Sequence, residues 1–245
     1  MSVLTLRLAG PLQSWGATAR FTRRTTESAP TKSGVIGLLA SAQGIQRGDD
    51  ERLRPLAALR FGVRIDQPGT RLRDFQKAID WETGKTMPLS ERFYLADAVF
   101  VAAVEGDLGL LTDLHAALRT PAYPPFLGRR SCPPAQPLEL GLHPELNLLQ
   151  ALEHEPWQAS SWHAGRHTGK PVVRLPVLYE TPENAMAADT VRDQPISFAA
   201  EHRRHALRTI TRREVEIPVV PRHDPVEIPV VPRHDPFDAL PEESD

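Results

Sequence analysis

Residues 3–45, VLTLRLAGPLQSWGATARFTRRTTESAPTKSGVIGLLASAQGI, hold a strand, a cationic loop and a helix in immediate succession. Leu4, Leu6 and Leu8 alternate with Thr5 and Arg7, the period-two pattern of a strand with one face on a core and the other in water. Gly10 and Pro11 close it. Val35, Ile36, Leu38, Leu39, Ala40, Ala42 and Ile45 wrap most of the way round a helix, which is expected to pack deeply against that sheet. Thr31 or Ser33 is placed to accept the free N–H groups of its first turn, and Gly44 stands where it should end. The loop between these elements carries Arg20, Arg23, Arg24 and Lys32 against one acid, Glu27, with Trp15 and Phe21 interleaved. Cations and aromatic faces delivered to a helix N-terminus suit a phosphate chain with unstacked bases. The same residues also suit a loop folded onto the core with its arginines in water.

Further along, Leu59, Phe61, Val63 and Ile65 alternate with Arg60, Gly62 and Arg64, a second strand of the same kind. If the two strands share a sheet, Arg7, Arg60 and Arg64 share the face away from the helices. From Gln67 to Arg92 the chain is polar and punctuated by Arg71, Arg73, Phe75, Lys77, Trp81, Lys85 and Arg92, with Glu82-Thr83-Gly84-Lys85 reading as a turn. Insertions of that length between strands are usually functional or disordered. Phe93 to Val104 is apolar on both faces except for Asp97 and reads as one central strand. Asp107 caps a helix with the stripe Leu111, Leu114 and Leu118, stopped by Pro121. A strand over Pro137 to Leu142 completes an α+β, ferredoxin-like βαββαβ domain. RNA recognition motifs share that fold, but their strand aromatics are absent here, so loops must carry any RNA contact. One such loop is Phe126 to Ser131: Gly128 lets backbone approach a phosphate, Arg129 and Arg130 offer forked donors, and Ser131 adds a hydroxyl.

The C-terminal part reads as a smaller β-rich unit over residues 144–217. A helix from Glu145 to Glu153 carries Leu146, Leu149 and Leu152, and Trp157 and Trp162 follow in a Ser/His/Gly-rich loop. Strands are expected at Val172 to Tyr179, Ile196 to Ala200 and Ala206 to Val215, decorated by Arg203, Arg204, Arg208, Arg212 and Arg213. Residues 218–245 form an acidic, proline-rich tail in which VEIPVVPRHDP, from Val215 to Pro225, recurs letter for letter from Val226 to Pro236. Two identical copies look like a duplication, since a solenoid needs several stacked units. The prolines forbid regular helix and disfavour an interior strand. The first copy is expected to finish the fold and the remainder to be extended or disordered.

Charge is unevenly spread. The 245-residue chain has a formal net charge of -2, yet residues 214–245 hold nine acids against two arginines, leaving the body with 27 basic and 22 acidic residues. A net-basic body attracts phosphate. Cys132 is the only cysteine, which excludes a disulfide framework and a thiolate metal cluster and fits a reducing cytoplasm. The sequence contains no apolar run of membrane-spanning length.

Several chemistries compete for the remaining polar residues. His163 and His167 have helical metal-pair spacing, but Ala164 follows where a glutamate would be needed, and Gly165 and Gly169 disfavour a helix. Thr31-Lys32-Ser33 lacks the glycine spacing of a nucleotide-binding loop. No metal or cofactor is expected. His163, His167, Lys170 and Tyr179 supply the groups for a metal-independent endoribonuclease that cleaves RNA through its own 2′-hydroxyl. Arginines that meet acidic proteins would instead make a protein-binding scaffold.

Four runs decide between these readings by resemblance. Leu8-Ala9-Gly10-Pro11-Leu12-Gln13-Ser14-Trp15-Gly16 is followed by Phe21-Thr22-Arg23-Arg24-Thr25-Thr26 and by Pro30-Thr31-Lys32-Ser33-Gly34-Val35-Ile36-Gly37-Leu38-Leu39. Together with Phe126-Leu127-Gly128-Arg129-Arg130-Ser131-Cys132-Pro133-Pro134 they closely resemble the CasD family of type I-E CRISPR systems. The resemblance implies a non-catalytic subunit of the Cascade surveillance complex that holds the 5′ handle of the guide RNA while a different subunit cuts the precursor. It implies contacts with the backbone and large subunits, and with target DNA only indirectly. It also implies a thumb-like β-hairpin inserted at about residues 67–92 of a domain spanning residues 1–143. The RNA-binding residues it points to are Gln13, Ser14, Trp15, Arg20, Arg23, Arg24, Lys32, Ser33, Arg71, Arg73, Phe75, Arg92, Gly128, Arg129, Arg130 and Ser131. None is expected to be catalytic.

Overall fold

The alternating leucines of the N-terminal run do form a strand, β1 (Ser2–Ala9), but it lies inside a sheet with both faces covered. The computed structural model describes residues 1–16, 23–181 and 188–219. After β1 come β2 (Leu12–Gln13), β3 (Arg23–Arg24), α1 (Lys32–Ala42), α2 (Asp50–Ala57), β4 (Arg60–Gln67), β5 (Thr70–Gln76), β6 (Ser90–Ala96), β7 (Val99–Gly106) and α3 (Leu108–Arg119). The chain continues through β8 (Glu139–His143), α4 (Leu148–His154), α5 (Ser161–Gly165), β9 (Val172–Glu180), β10 (Asp189–Ser197) and β11 (Arg204–Pro218). Seven strands make one antiparallel sheet in the order β10-β11-β9-β4-β7-β1-β8. A second sheet is built on β6, which pairs with β5 along one edge and with β2 and β3 along the other. Among the described residues, no helix is long and apolar enough to cross a membrane.

Strand alternation divides the core into two layers. Leu4, Leu6 and Leu8 join Phe61, Phe100, Val104, Leu111 and Leu114 beneath α1 and α3. Val3, Val101 and Ala103 point the other way, into a layer with Leu148, Leu152, Trp157, Val173, Leu175, Val177, Val215 and Ile217. This second layer overturns the expectation that Thr5, Arg7, Arg60 and Arg64 face water together. Thr5 is buried and hydrogen-bonds Glu155, while Arg7 reaches Gln136 and the Gln158 carbonyl. Arg60 pairs with Glu105 and remains partly exposed. Arg64 is wholly buried, because α4 and the segment after it close over this face.

Local signals set most element ends. The Thr31 side chain accepts the Gly34 N–H, so α1 begins at Lys32, earlier than Val35, and Gly44 (φ +70°) lies just beyond its end. Asp107 likewise accepts the Leu110 N–H at the start of α3, whose Leu111 and Leu114 are fully buried. Burying each stabilises by about 1.5–3 kcal/mol.

The apolar run from Phe93 is divided, where one strand was expected. Asp97 adopts φ +56° and its N–H bonds the Pro11 carbonyl, so the chain turns and β6 and β7 enter different sheets. Among non-glycine residues, Asp tolerates that conformation comparatively well. Further on, the strand expected at Ile196 to Ala200 sits earlier, as β10. β11 runs to Pro218, which pairs with Val172 at the last rung of the ladder, where a missing N–H is tolerated. β9 hydrogen-bonds onto β4, β11 onto β9 and β10 onto β11, so the three continue the main sheet. The short α5 forms despite Gly165. Arg208, expected as surface decoration, is largely covered and packs against Asp193 and Glu180 with its guanidinium 5.3 Å from the centre of the Phe61 ring. Arg20, Phe21 and the tail from residue 220, second repeat copy included, lie outside the described residues.

Candidate nucleic-acid interface

The segment Thr70–Gln76, TRLRDFQ, places Arg71, Arg73 and Phe75 at alternate positions, so in a strand all three share a face. Pairing with β6 sets Arg71 opposite Leu95, Arg73 opposite Phe93 and Phe75 opposite Glu91, while β3 sets Arg23 opposite Glu91. One face of the hairpin therefore gathers three arginines and two phenylalanines. The guanidiniums of Arg23 and Arg71 lie 5.5 and 5.4 Å from the Phe93 ring centre, and that of Arg73 lies 4.6 Å from Phe75. Glu91 is the acid among them, bonded to Arg73 and 3.8 Å from Arg23. Phe75 is 51 % exposed, a large apolar ring left in water. Beside this face, Thr26, Glu27, Ser28, Gly69, Arg71 and Leu95 line a cleft of ≈ 370 Å³.

Arg24, Arg92 and Tyr94 belong to the opposite face. Arg92 is half-buried, and its Nε has no hydrogen-bond partner among the described residues. At the far end of the hairpin the Asp80 carboxylate accepts the N–H groups of Glu82 and Thr83, bonds that hold it below the usual carboxylate range. Trp81, next to it, is 89 % exposed.

Other residues expected to touch RNA serve the interior. The Gln13 amide donates to the Leu8 and Ala98 carbonyls, and its oxygen accepts the Trp15 indole N–H at 3.0 Å. Trp15 is buried in the core, and the Ser14 hydroxyl donates to the Phe93 carbonyl. Lys32 is buried with its ammonium 2.9 Å from Glu180, and its backbone N–H donates to Asp193 at 2.8 Å. The N-terminus of α1, expected to receive phosphate, is thus occupied by a carboxylate of the same chain. Burial lowers the Lys32 pKa, opposed by Glu180. Ser33 is buried beside it.

Loop 126–131 is divided between the two roles. Arg129 lies over Tyr94, 4.8 Å from the ring centre, and donates to the carbonyls of Phe93, Arg24 and Thr25, holding the arginine-bearing strand on β6. Arg130 and Ser131 are exposed. Gly128 has φ +85°, and a Cβ there would stand 1.8 Å from the Ser14 carbonyl oxygen. The crossing of two chain segments by itself requires glycine here. Gly128→Ala is accordingly expected to cost about 1–3 kcal/mol, read as a lowered urea midpoint.

Structure thus brings Arg23, Arg71, Arg73 and Phe75 onto one face and Arg24 and Arg92 onto the other. It adds Phe93, which sequence reasoning missed by assigning its run to the core; Tyr94 beside it does lie in the core. The signal that marks Phe93 is Asp97, the one polar residue where that run breaks.

The groups for RNA cleavage are brought together only in part. The His163 and His167 rings are 5.4 Å apart, and His167 and Lys170 line a cleft of ≈ 370 Å³ with Val173 and Arg174. Burial, then His167 and Arg166, holds His163 below its usual pKa. Tyr179 lies seven positions along β9 from Val172, roughly 23 Å at strand rise. Among the described residues, no group of three or more His, Cys, Asp or Glu is placed to hold a metal ion.

A family model described as CRISPR-associated protein (Cas_Cas5) matches residues 3–211. The chain is similar to the CRISPR system Cascade subunit CasD of Escherichia coli (strain K12), 38% identical over 158 residues, which cover 57% of this chain and 70% of that protein. Among solved structures it is similar to a chain of a CRISPR RNA-guided surveillance complex, with a TM-score of 0.69 and 31% identity, covering 88% of this chain and 91% of that one. A crystal structure of a Cas protein matches with a TM-score of 0.66 and 37% identity over 91% and 100% of the two chains.

Proposed function

This chain belongs to the CRISPR-associated Cas5 family, and from that premise we propose that it is a non-catalytic RNA-binding subunit of a Cascade complex in the cytoplasm, holding the 5′ handle of the guide RNA. The observation that carries the reading is the hairpin face on which Arg23, Arg71 and Arg73 surround Phe75 and Phe93. Guanidiniums neutralise a phosphate chain, and aromatic faces accept unstacked bases, so the combination suits a single strand better than a duplex. Arg24, Arg92 and Arg130 extend the cationic surface round the hairpin. Gln13, Ser14, Trp15, Gly128 and Arg129 hold its base in shape, while Lys32 and Ser33 are buried at the start of α1, where Lys32 meets Glu180 and Asp193.

In this reading the β8-β1-β7-β4 half of the main sheet, with α1 and α3, is a ferredoxin-like platform. The hairpin is the thumb that meets guide and backbone subunit, the large subunit docks nearby, and target DNA is met only through the guide. A nuclease role has His167 and Lys170 in one cleft in its favour. Repeat RNA incubated with the chain in chelator is nevertheless expected to stay intact; a discrete product that disappears with His167→Ala would establish cleavage.

Footprinting of the assembled complex tests the binding reading directly. Nucleotides at the guide's 5′ end are expected to be protected, and photo-crosslinks from them to fall in the peptides carrying Arg71–Phe75 and Phe93. Protection unchanged by Arg23→Ala/Arg24→Ala, with crosslinks elsewhere, would point to a protein-binding scaffold instead.

A further inference from the structure

Trp157 and Trp162 share one short segment and meet opposite fates. Trp157 is 7% exposed, donates its indole N–H to the Asp66 carbonyl and packs in the layer of Leu148, Leu152 and Val173. Trp162, on α5, is 52% exposed. A ring of that size left in water forfeits the gain of burial, so the core does not account for it. The Arg166 guanidinium lies 4.8 Å from the Trp162 ring centre, and His163 meets the ring in a T-shaped arrangement at 5.5 Å. The segment is anchored from beneath. The Ser160 N–H and hydroxyl both donate to the Gln67 amide oxygen, His167 packs T-shaped on Trp157 at 5.3 Å, and Ala164 lies against the second core layer. A turn at Gly169 (φ +86°) then leads to exposed Lys170 and the start of β9, where His167, Lys170, Val172, Val173, Arg174 and Glu216 line a cleft. The chain has no acid between Glu155 and Glu180. Among the described residues Arg166 and Lys170 pair with no carboxylate, and Glu216, the acid of the cleft, is held by Arg174 at 3.0 Å.

We propose that this surface is a second site for single-stranded nucleic acid, separate from the hairpin: a base stacks on the open part of Trp162 while neighbouring phosphates meet Arg166 and Lys170. An indole with just over half of its surface free offers a π-face to any base. The guanidinium beside it holds the ring's orientation and supplies charge to the backbone at the same point. Because the segment is fixed through Gln67 and Trp157, little ordering remains to be done when a ligand arrives. Stacking requires an unpaired base, which favours a single strand over a duplex whose bases already stack on one another. Stacking and phosphate contact do not read the 2′-hydroxyl, the group by which RNA is told from DNA, so both kinds of single strand are bound alike. His167 and Lys170, the groups a nuclease would use, have a binding role in this assignment.

The test uses the full chain carrying Arg71→Ala/Arg73→Ala/Phe75→Ala, so that the hairpin face contributes nothing. Its probes are labelled oligouridine and oligothymidine of about eight nucleotides, within the span of a single-strand site. Both are expected to bind, comparably to each other and more tightly than a duplex of the same length. Adding Trp162→Ala lowers the affinity about 5- to 150-fold, the range for one stacked base, and leaves its salt dependence unchanged. Adding Lys170→Ala instead flattens the slope of log K against log salt by about 0.7, the share of one phosphate. Both positions are exposed, so neither change should move the thermal midpoint. With iodouracil in the probe, the photo-crosslink is expected in the peptide that carries Trp162. An affinity indifferent to Trp162→Ala, or a duplex bound as well as the single strand, would overturn the stacking site. A strong preference for one sugar would overturn the assignment to stacking and charge. If the hairpin substitutions alone abolish binding of these probes, this site is lost and the hairpin reading stands. If they change nothing while Trp162→Ala does, the hairpin reading is lost and this site stands.

Discussion

Arg64→Met is expected to destabilise the fold by about 3–5 kcal/mol, the cost of stranding one member of a buried ion pair. Arg64 is 0% exposed, and all of its donor groups are used. Nε and Nη2 hold the Asp66 carboxylate at 2.7 and 2.9 Å. Nη1 reaches the carbonyls of Leu152 and Glu155, and Nη2 that of Pro156. Those carbonyls belong to the end of α4 and its exit, where a helix leaves acceptors without intrahelical partners. Asp66 in turn accepts the Gln158 N–H at 2.6 Å, and its backbone oxygen accepts the Trp157 indole at 3.0 Å. The pair thus fastens the C-terminal cover onto β4. Methionine fills much of the volume but leaves a carboxylate and three carbonyls short of donors in the interior, against a total stability of about 5–15 kcal/mol for a typical domain.

The same substitution carries a pH signature. Burial already holds Asp66 above its ordinary carboxylate range, with Arg64 the main opposing influence. Without Arg64 the folded protein keeps Asp66 protonated to still higher pH, while the unfolded chain releases that proton near the usual carboxylate pKa. Stability then falls as pH rises from that ordinary value through the raised folded one. Urea midpoints are expected to show a smaller deficit at mildly acidic than at neutral pH. Arg64→Met/Asp66→Asn should lose much of that dependence, because the group that titrates is gone.

What the sequence made legible was local, and what it concealed depended on partners far along the chain. Asp107, Thr31 and Gly44 act within a few residues of themselves, so the positions of α1 and α3 could be read in advance. Arg71, Arg73 and Phe75 were picked out only as part of a polar insertion that the resemblance makes a thumb, and their sharing of one face emerged with β5. The burial of Lys32 and Arg64 and the covering of Arg208 were hidden by distance along the chain. Their counter-charges or covers come from Glu180, Asp193 and the end of α4, and a cation looks solvated until those arrive. Likewise β1 carries a polar-looking face only because its cover, α4, lies about 150 positions later. Trp15 misled in the same way: an aromatic ring beside arginines suits base stacking, yet this one is consumed by the core under Gln13.

Removing the exposed hairpin face is expected to weaken RNA binding most while leaving the fold intact. Arg71→Ala/Arg73→Ala/Phe75→Ala changes three exposed positions on a strand that has little burial on either face, so each should shift stability by no more than about 0.5 kcal/mol. Binding separates the roles of the residues. Each phosphate of a single strand that is no longer neutralised should flatten the salt dependence of log K by about 0.7, so removing the arginine pair should flatten it by about 1.4. Phe75→Ala alone should leave that slope unchanged and lower affinity by about 1–3 kcal/mol, roughly 5- to 150-fold, if a base stacks on the ring. The triple variant should combine both signatures in a titration of 5′-handle RNA across a salt series. Arg73 also has Glu91 as a partner, and its removal frees a carboxylate on the same face, adding repulsion to the missing attraction. An acidic protein docked on the same arginines would respond to the charges but not to Phe75 through stacking, so an affinity for RNA indifferent to Phe75→Ala would remove the aromatic half of the proposed grip.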